Sequence, residues 1–422
     1  MKKFLFVLFV LCLSFSTQAQ HFSGRFSSSL YSFERFTDKQ NSETNLRSFQ
    51  TLYFNLGNKD YSLKSRLNLE TNLMNSLDND PRLRFYNLYV EARNIFDIAT
   101  VKLGRQTLFN SAAGGLFDGL SFKANYSMFK FEGYFGGNVP AYQKLAIIDN
   151  FGDNYLLGGK ISAYPLEKVK VAVSYINKNY KPQDYLANRL DALNNPITLL
   201  IEQNSNQFEF VSAEASYFDD KFLTVFSKIE YDLNFATASK FEVSGRYSQI
   251  DDLGVSFYYN FREPRIRYNS IFSVFNYGST QEIEGGLDYR LTPEIQLMTK
   301  FGNVTYEDDD AQRYTLGFNT IYGNISYRVS TGYTGELNSL SAYTAKSFMD
   351  GMITPSVGVS FTGYKLSKDE EEKSITSVLA GMNYRPMRNL SFDLQGQFFN
   401  NPIYSNDFRV LFKVNHWFNT NF

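Results

Sequence analysis

Two histidines and one cysteine are this chain's entire supply of the side chains that most often do acid–base or thiol chemistry near neutral pH. Cys12 sits inside an apolar N-terminal run. His21 lies near the start of the chain, and His416 alternates with Val414, Phe412 and Phe418. Neither histidine stands beside a nucleophile and a carboxylate, as hydrolytic chemistry would need. No phosphate-binding glycine loop, no Cys/His metal spacing and no basic–aromatic nucleic-acid groove occurs, so no enzyme, metal or cofactor is expected. The remaining chemistry is electrostatic and depends on spacing. In residues 61–74, Ser62, Lys64, Arg66, Asn68, Glu70 and Asn72 alternate with Tyr61, Leu63, Ser65, Leu67, Leu69, Thr71 and Leu73. A helix would scatter these charges around its circumference, whereas a strand gathers them on one side.

The alternation recurs along the chain. Ile325, Tyr327, Val329, Thr331 and Tyr333 oppose Ser326, Arg328, Ser330 and Gly332, and Leu390, Phe392, Leu394 and Phe398 oppose Ser391, Asp393, Gln395 and Gln397. Further strands read at 43–56, 83–94, 168–178, 206–217, 222–233, 240–249, 281–291, 294–306, 312–322, 354–364 and 374–384. Many exceed the five or six residues usual in soluble sheets. Connections fall into two kinds. Tight turns occur at 57–60, 165–168, 291–294 and 386–389, and longer polar loops at 75–82, 138–153, 181–205, 307–311 and 367–373. Segment 263–280 makes the strand count odd if it is read as a strand. Read as a loop folded inward, carrying Arg262, Glu263 and Arg265 as a constriction, it leaves an even total. The expected fold is all-β: a single antiparallel transmembrane barrel of about 22 strands, with roughly 16 to 24 admissible and no plug domain.

Composition agrees. Aromatic residues make up 17% of the chain, with 41 Phe and 30 Tyr, while mean hydropathy is −0.32. Alternating apolar and water-facing residues average to such a mixture. No mature stretch approaches the run of about 20 apolar residues that a spanning helix needs. A net charge of −1 gives no general pull towards nucleic acid. Lys2 and Lys3, the apolar run Phe4 to Phe15 and Thr17-Gln18-Ala19 read as a cleavable signal peptide over residues 1–19, with the barrel over 20–422. Cys12 follows Leu11 rather than a small residue, which disfavours lipidation, and cleavage would remove the only cysteine.

Two segments carry resemblances. Counting back from Phe422 in twos gives Thr420, Phe418, His416, Val414, Phe412, Val410 and Phe408. This resembles the C-terminal signal by which bacterial outer-membrane barrels are recognised by their assembly machinery, with Phe418 and Phe422 as its aromatic marks. Gly104-Arg105-Gln106, a glycine-rich loop, and Asp118-Gly119 resemble porin-like barrels related to the alginate-export family. That resemblance implies that Arg105, Gln106 and Asp118 lie at or near the lumen. An Arg105–Asp118 ion pair would then either brace the wall or touch solute.

Period two places Lys64, Arg66, Arg93, Lys102, Lys123, Lys130, Lys160 and Lys170 on the inward side, against Glu70, Glu91 and Glu132. Later strands carry balanced charge. The expectation is a channel in the outer membrane of a Gram-negative bacterium for passive diffusion of small polar or anionic solutes, bordered by the lipid bilayer and lipopolysaccharide. Pairing of the charges across strands is the competing reading of the same residues. A non-conducting barrel that sheathes a partner or displays loops is the alternative function. Acidic runs at Asp308–Asp310 and Glu370–Glu372 are expected in outer loops, either bridging divalent cations or simply solvated.

Overall fold

The computed structural model describes residues 21–422 except 39–40, 77–79, 110–111, 141–144, 149, 182–184, 191–192, 202–205, 276–277, 308, 333–334, 366–369 and 403–405. The expected leader, 1–19, lies outside the described residues. Among those described, 22 strands form one sheet, and a separate pair, Tyr185–Leu190 with Pro196–Ile201, forms a hairpin of its own. The strand His21–Phe36 pairs antiparallel with Ser42–Gly57 on one side and with the last strand, Asp407–Asn421, on the other. First and last strands therefore share hydrogen bonds, and the sheet is a closed antiparallel barrel.

Strands of the 22-stranded sheet alternate polar and apolar faces, and the apolar face is the more exposed. In Asp309–Thr320, Tyr314, Leu316 and Phe318 are exposed, while Thr315 between them is buried. Phe26, Leu30, Phe408 and Phe412 are exposed in the same way. Conversely, Glu230 and Ser62 are among the most deeply buried side chains. Among the described residues, buried polar groups outnumber buried apolar ones, the reverse of a water-soluble core.

The chain divides into two compact units. One comprises residues up to Asn94, Arg246–Phe257 and Ile283–Phe422. In it Phe22 stacks on Phe418 at 4.8 Å on the apolar face, where the exposed His416 also lies; Phe422 is exposed. The other comprises Ile95–Gly245 and Tyr258–Glu282 and contains the hairpin, whose Leu186, Leu190 and Leu200 are exposed.

The even strand number and the loop character of 263–280 match the expectation; the segment holds only a short 3-10 turn, Ile271–Val274. Three local expectations are corrected. The 181–205 loop carries strands of its own. Asp309 and Asp310 open the strand Asp309–Thr320 instead of sitting in a loop. At Pro165 and Pro386 the strands run on through a register shift, between Ala163 and Leu166 and between Tyr384 and Met387, because a proline that cannot donate is accommodated where pairing slips.

At the short-turn end, Lys168 Nζ donates to Asp219 Oδ2 at 2.5 Å, joining two neighbouring turns. This hydrogen bond, reinforced by opposite charge, lowers the Asp219 carboxyl below its usual range and raises the Lys168 ammonium. A lowered carboxylate contributes stability that is present above its unfolded pKa, about 3.9, and lost as pH falls through the folded value; a raised lysine contributes below about 10.4 and fades as pH rises past its folded value. Urea titrations of wild type and Lys168→Ala should differ by a small, constant amount across mid-range pH and converge below about pH 4. A difference undiminished at pH 2 would contradict the assignment.

Candidate functional site

The polar face of the strands Ala99–Leu108, Gly115–Tyr126, Phe129–Val139, Leu156–Leu166 and Val169–Lys178 carries the densest charge in its unit. Register sets Lys123 opposite Thr100 and Glu132, Glu132 opposite Lys160, Lys130 opposite Ser162 and Lys170 opposite Ser216. These residues surround a recess of about 440 Å³ whose lining includes Lys102, Lys123, Lys130, Lys160 and Lys170, with Glu132 the one carboxylate among its described lining residues. Lys130 and Lys123 approach Glu132 at 2.7 and 3.5 Å, and Lys160 reaches Glu214 at 2.5 Å. Lys170 forms no ion pair among the described residues. Glu132 answers Lys123 and Lys130, and Glu214 answers Lys160 together with Lys228, so lysines outnumber carboxylates in the described lining of the recess, and its field is positive and suits anions.

Gln106 belongs to this face. It accepts from Ser121 Oγ at 2.6 Å and donates to the Gly119 carbonyl at 3.0 Å. Arg105 and Asp118 do not belong to it, which corrects the expectation that all three lie together at the lumen. The ion pair itself is present and doubly bonded at 2.8 Å, with side chains 7% and 9% exposed. The pair occupies neighbouring positions across the ladder, on the face shared with Leu103, Leu120 and Phe135. What buries it there is the segment following the strand Phe129–Val139. Ala146 O accepts from Arg105, Ile148 N donates to Asp118, and Ile148 packs over Gly137 where any side chain would collide. Phe151 of the same segment meets Phe135 at 5.9 Å. Parity alone would have put the pair on the apolar side; the loop that covers it there leaves no local mark in the sequence.

In the other unit the candidate charges share the polar face but neutralise one another. Lys64 and Arg93 both meet Glu91, and Arg47 and Arg84 meet Glu70. Arg66 lies 5.4 Å from the Tyr86 ring, and Arg93 donates to the carbonyls of Asn58 and Lys59, bracing a turn. Among the later strands, where the sequence reading set Lys300 and Arg246 against carboxylates that include Glu284 and Asp288, Lys300 and Arg313 join Glu284 and Arg246 joins Asp288; of these only Arg313 went unread.

Segment 263–275 lies across the polar face of its unit. Arg265 donates to Glu230 at 2.5 Å and sits over the Phe210 ring at 6.0 Å. Tyr268 N donates to Gln207 O, and Asn269 donates to Asn179 Oδ1 and Tyr180 O. Ala112 and Ala113 pack beside it on Phe210 and Ile176. Two connections thus converge on one polar face, where the sequence reading had folded in 263–280 and had not included Ala112 and Ala113.

No family model and no curated protein matches the chain. Solved structures resemble it at low identity. They include OccAB3 of Acinetobacter baumannii (10% identity, 94% of this chain and 99% of that one, TM-score 0.44), OpdK of Pseudomonas aeruginosa with vanillate (10%, 96% and 100%, 0.44) and OccK2 (OpdF) of Pseudomonas aeruginosa (9%, 94% and 98%, 0.45). Likeness of this degree adds nothing to what the strand pairing already establishes.

Removing one partner of a buried ion pair strands the other. Asp118→Asn should therefore lower the unfolding free energy by about 3–5 kcal/mol, whereas the paired change Arg105→Met with Asp118→Leu should be close to neutral. Urea unfolding in detergent measures both. Because the pair is off the polar face, ion selectivity should stay at the wild-type value in the paired variant.

Proposed function

We propose that the chain is an outer-membrane channel through which small polar and anionic solutes diffuse passively. The observation that carries this reading is the inverted distribution of side chains on a closed ladder. Exposed Leu, Phe and Tyr on one face are disfavoured in water and favoured in hydrocarbon, and a closed sheet leaves no unpaired backbone edge to face lipid. The polar face then encloses water. Lys102, Lys123, Lys130, Lys160 and Lys170, with Gln106, form the basic stretch of that wall, and Lys64, Arg66, Glu70, Glu91 and Arg93 a neutralised one. Arg262, Glu263 and Arg265, where the inward segment begins, set a size limit. Phe418 and Phe422 serve as the assembly mark read by the barrel-insertion machinery, and lipopolysaccharide surrounds the outer loops.

Fixed cations in a confined, partly dehydrated passage raise the local anion concentration. Lysine suits a transit site, because a strongly hydrated ammonium releases its counterion readily, where a planar arginine fork holds a carboxylate in two bonds. Planar-bilayer recording of the purified protein should show discrete steps with a reversal potential on the chloride side in a KCl gradient. Lys130→Gln combined with Lys170→Gln should reduce the Cl⁻/K⁺ permeability ratio by at least about twofold. A sealed bilayer would favour the non-conducting scaffold, and a cation-preferring pore would remove the basic stretch from the account.

A further inference from the structure

The residues at the start of the inward segment border a second recess, of about 580 Å³, separate from the lysine stretch. That volume lies within the range of about 300–1,000 Å³ typical of small-molecule sites. Its lining includes Lys240, Tyr258, Asn260, Arg262, Glu263 and Arg265, and the charges are unequally committed. Lys240 is held by Glu242 at 2.5 Å and Arg265 by Glu230 at 2.5 Å. Arg262 is exposed and forms no ion pair among the described residues. Glu263 has one weak side-chain partner, Thr237 Oγ1 at 3.4 Å. Asn260 is 5% exposed, and its Oδ1 is buried without a hydrogen-bond partner.

The recess therefore offers one uncommitted cation and one weakly held carboxylate. A simple anion would satisfy Arg262 and leave the Glu263 carboxylate beside it unfavourably. A solute with a carboxylate and an ammonium on one carbon satisfies both: its carboxylate bonds the Arg262 guanidinium, and its ammonium donates to Glu263. We infer that this recess is a binding site for small zwitterions of the α-amino-acid type. The inference adds a site to the proposed channel and relies on that reading only for the route by which solute arrives.

Calorimetric titration of the detergent-solubilised full chain with glycine, acetate and methylammonium tests it. Glycine should bind saturably and at least about tenfold more tightly than either half-molecule. Arg262→Gln should lose that binding, and Glu263→Gln should weaken glycine while leaving acetate unchanged. Folding of each variant is checked by heat-modified gel mobility. Equal binding of glycine and acetate, or no saturable glycine binding by the folded wild type, overturns the site. Bilayer recording of the same preparation separates the two readings: conductance without glycine binding defeats this inference alone, and glycine binding to a protein that does not conduct defeats the channel alone.

Discussion

The structure depends on closure of the backbone ladder. His21 through Ser32 pair with Asn421 back to Val410, so the sheet has no open edge among its 22 strands. In water an unpaired edge is tolerable because solvent satisfies it. In hydrocarbon each unsatisfied N–H or C=O costs several kcal/mol, and an edge some ten residues long would be prohibitive. Closure also fixes the faces. A slip of one residue anywhere would carry Tyr314, Leu316 and Phe318 to the side of Arg313 and Thr315, so register and amphipathic pattern must agree on every strand at once.

Given two faces of opposite character, the placement of charge becomes a question of what neutralises what. On the polar face of the unit holding Lys64, Glu70 serves Arg47 and Arg84, Glu91 serves Lys64 and Arg93, and Glu284 serves Lys300 and Arg313. In the lysine recess of the other unit the described lining holds five lysines and one carboxylate, so the field there stays positive. The Arg105–Asp118 pair is the exception. It sits on the side of Leu103 and Leu120, where an open charge would be costly, and it survives because both ions are fully hydrogen-bonded and a covering segment supplies the last partners. The segment at 145–151 is held down by the charges it hides.

Most of the architecture was legible in the sequence because period two is a local property. The alternation of Lys64, Arg66 and Glu70 with Leu63 and Leu67 needs no knowledge of neighbours, and an even strand number follows from counting turns. What failed to read out was tertiary. The glycine-rich segment before Asp118 suggested a lumenal ion pair, but whether a loop folds over the polar or the apolar side depends on a distant partner, here Gly137 and Ile148. Parity was the available signal, since Arg105 keeps step with Leu103 while Gln106 keeps step with Lys102. The hairpin within 181–205 was masked by its polar flanks, although Ile197, Leu199 and Ile201 alternate within it. The unfilled acceptor of Asn260 could not have been anticipated, because whether a buried amide finds a partner is decided by packing.

The two recesses place different demands on the same wall. A passage must attract a solute strongly enough to bring it in and weakly enough to let it go. Long, flexible lysines spread over five strands meet that demand through a diffuse field, in which no single contact dominates. The recess at 262–265 does the opposite: it gathers an arginine and a carboxylate at the root of a connection pinned by Arg265–Glu230 and Asn269–Asn179. Charge-balanced groups reward one shape of solute and reject its halves, since a partial match leaves one charge unanswered. Diffuse attraction from the strands and local discrimination at a pinned connection are therefore complementary. They follow from where each group sits: lysines on strands point into open space, whereas groups at an inward turn have their positions fixed by the chain that returns over them.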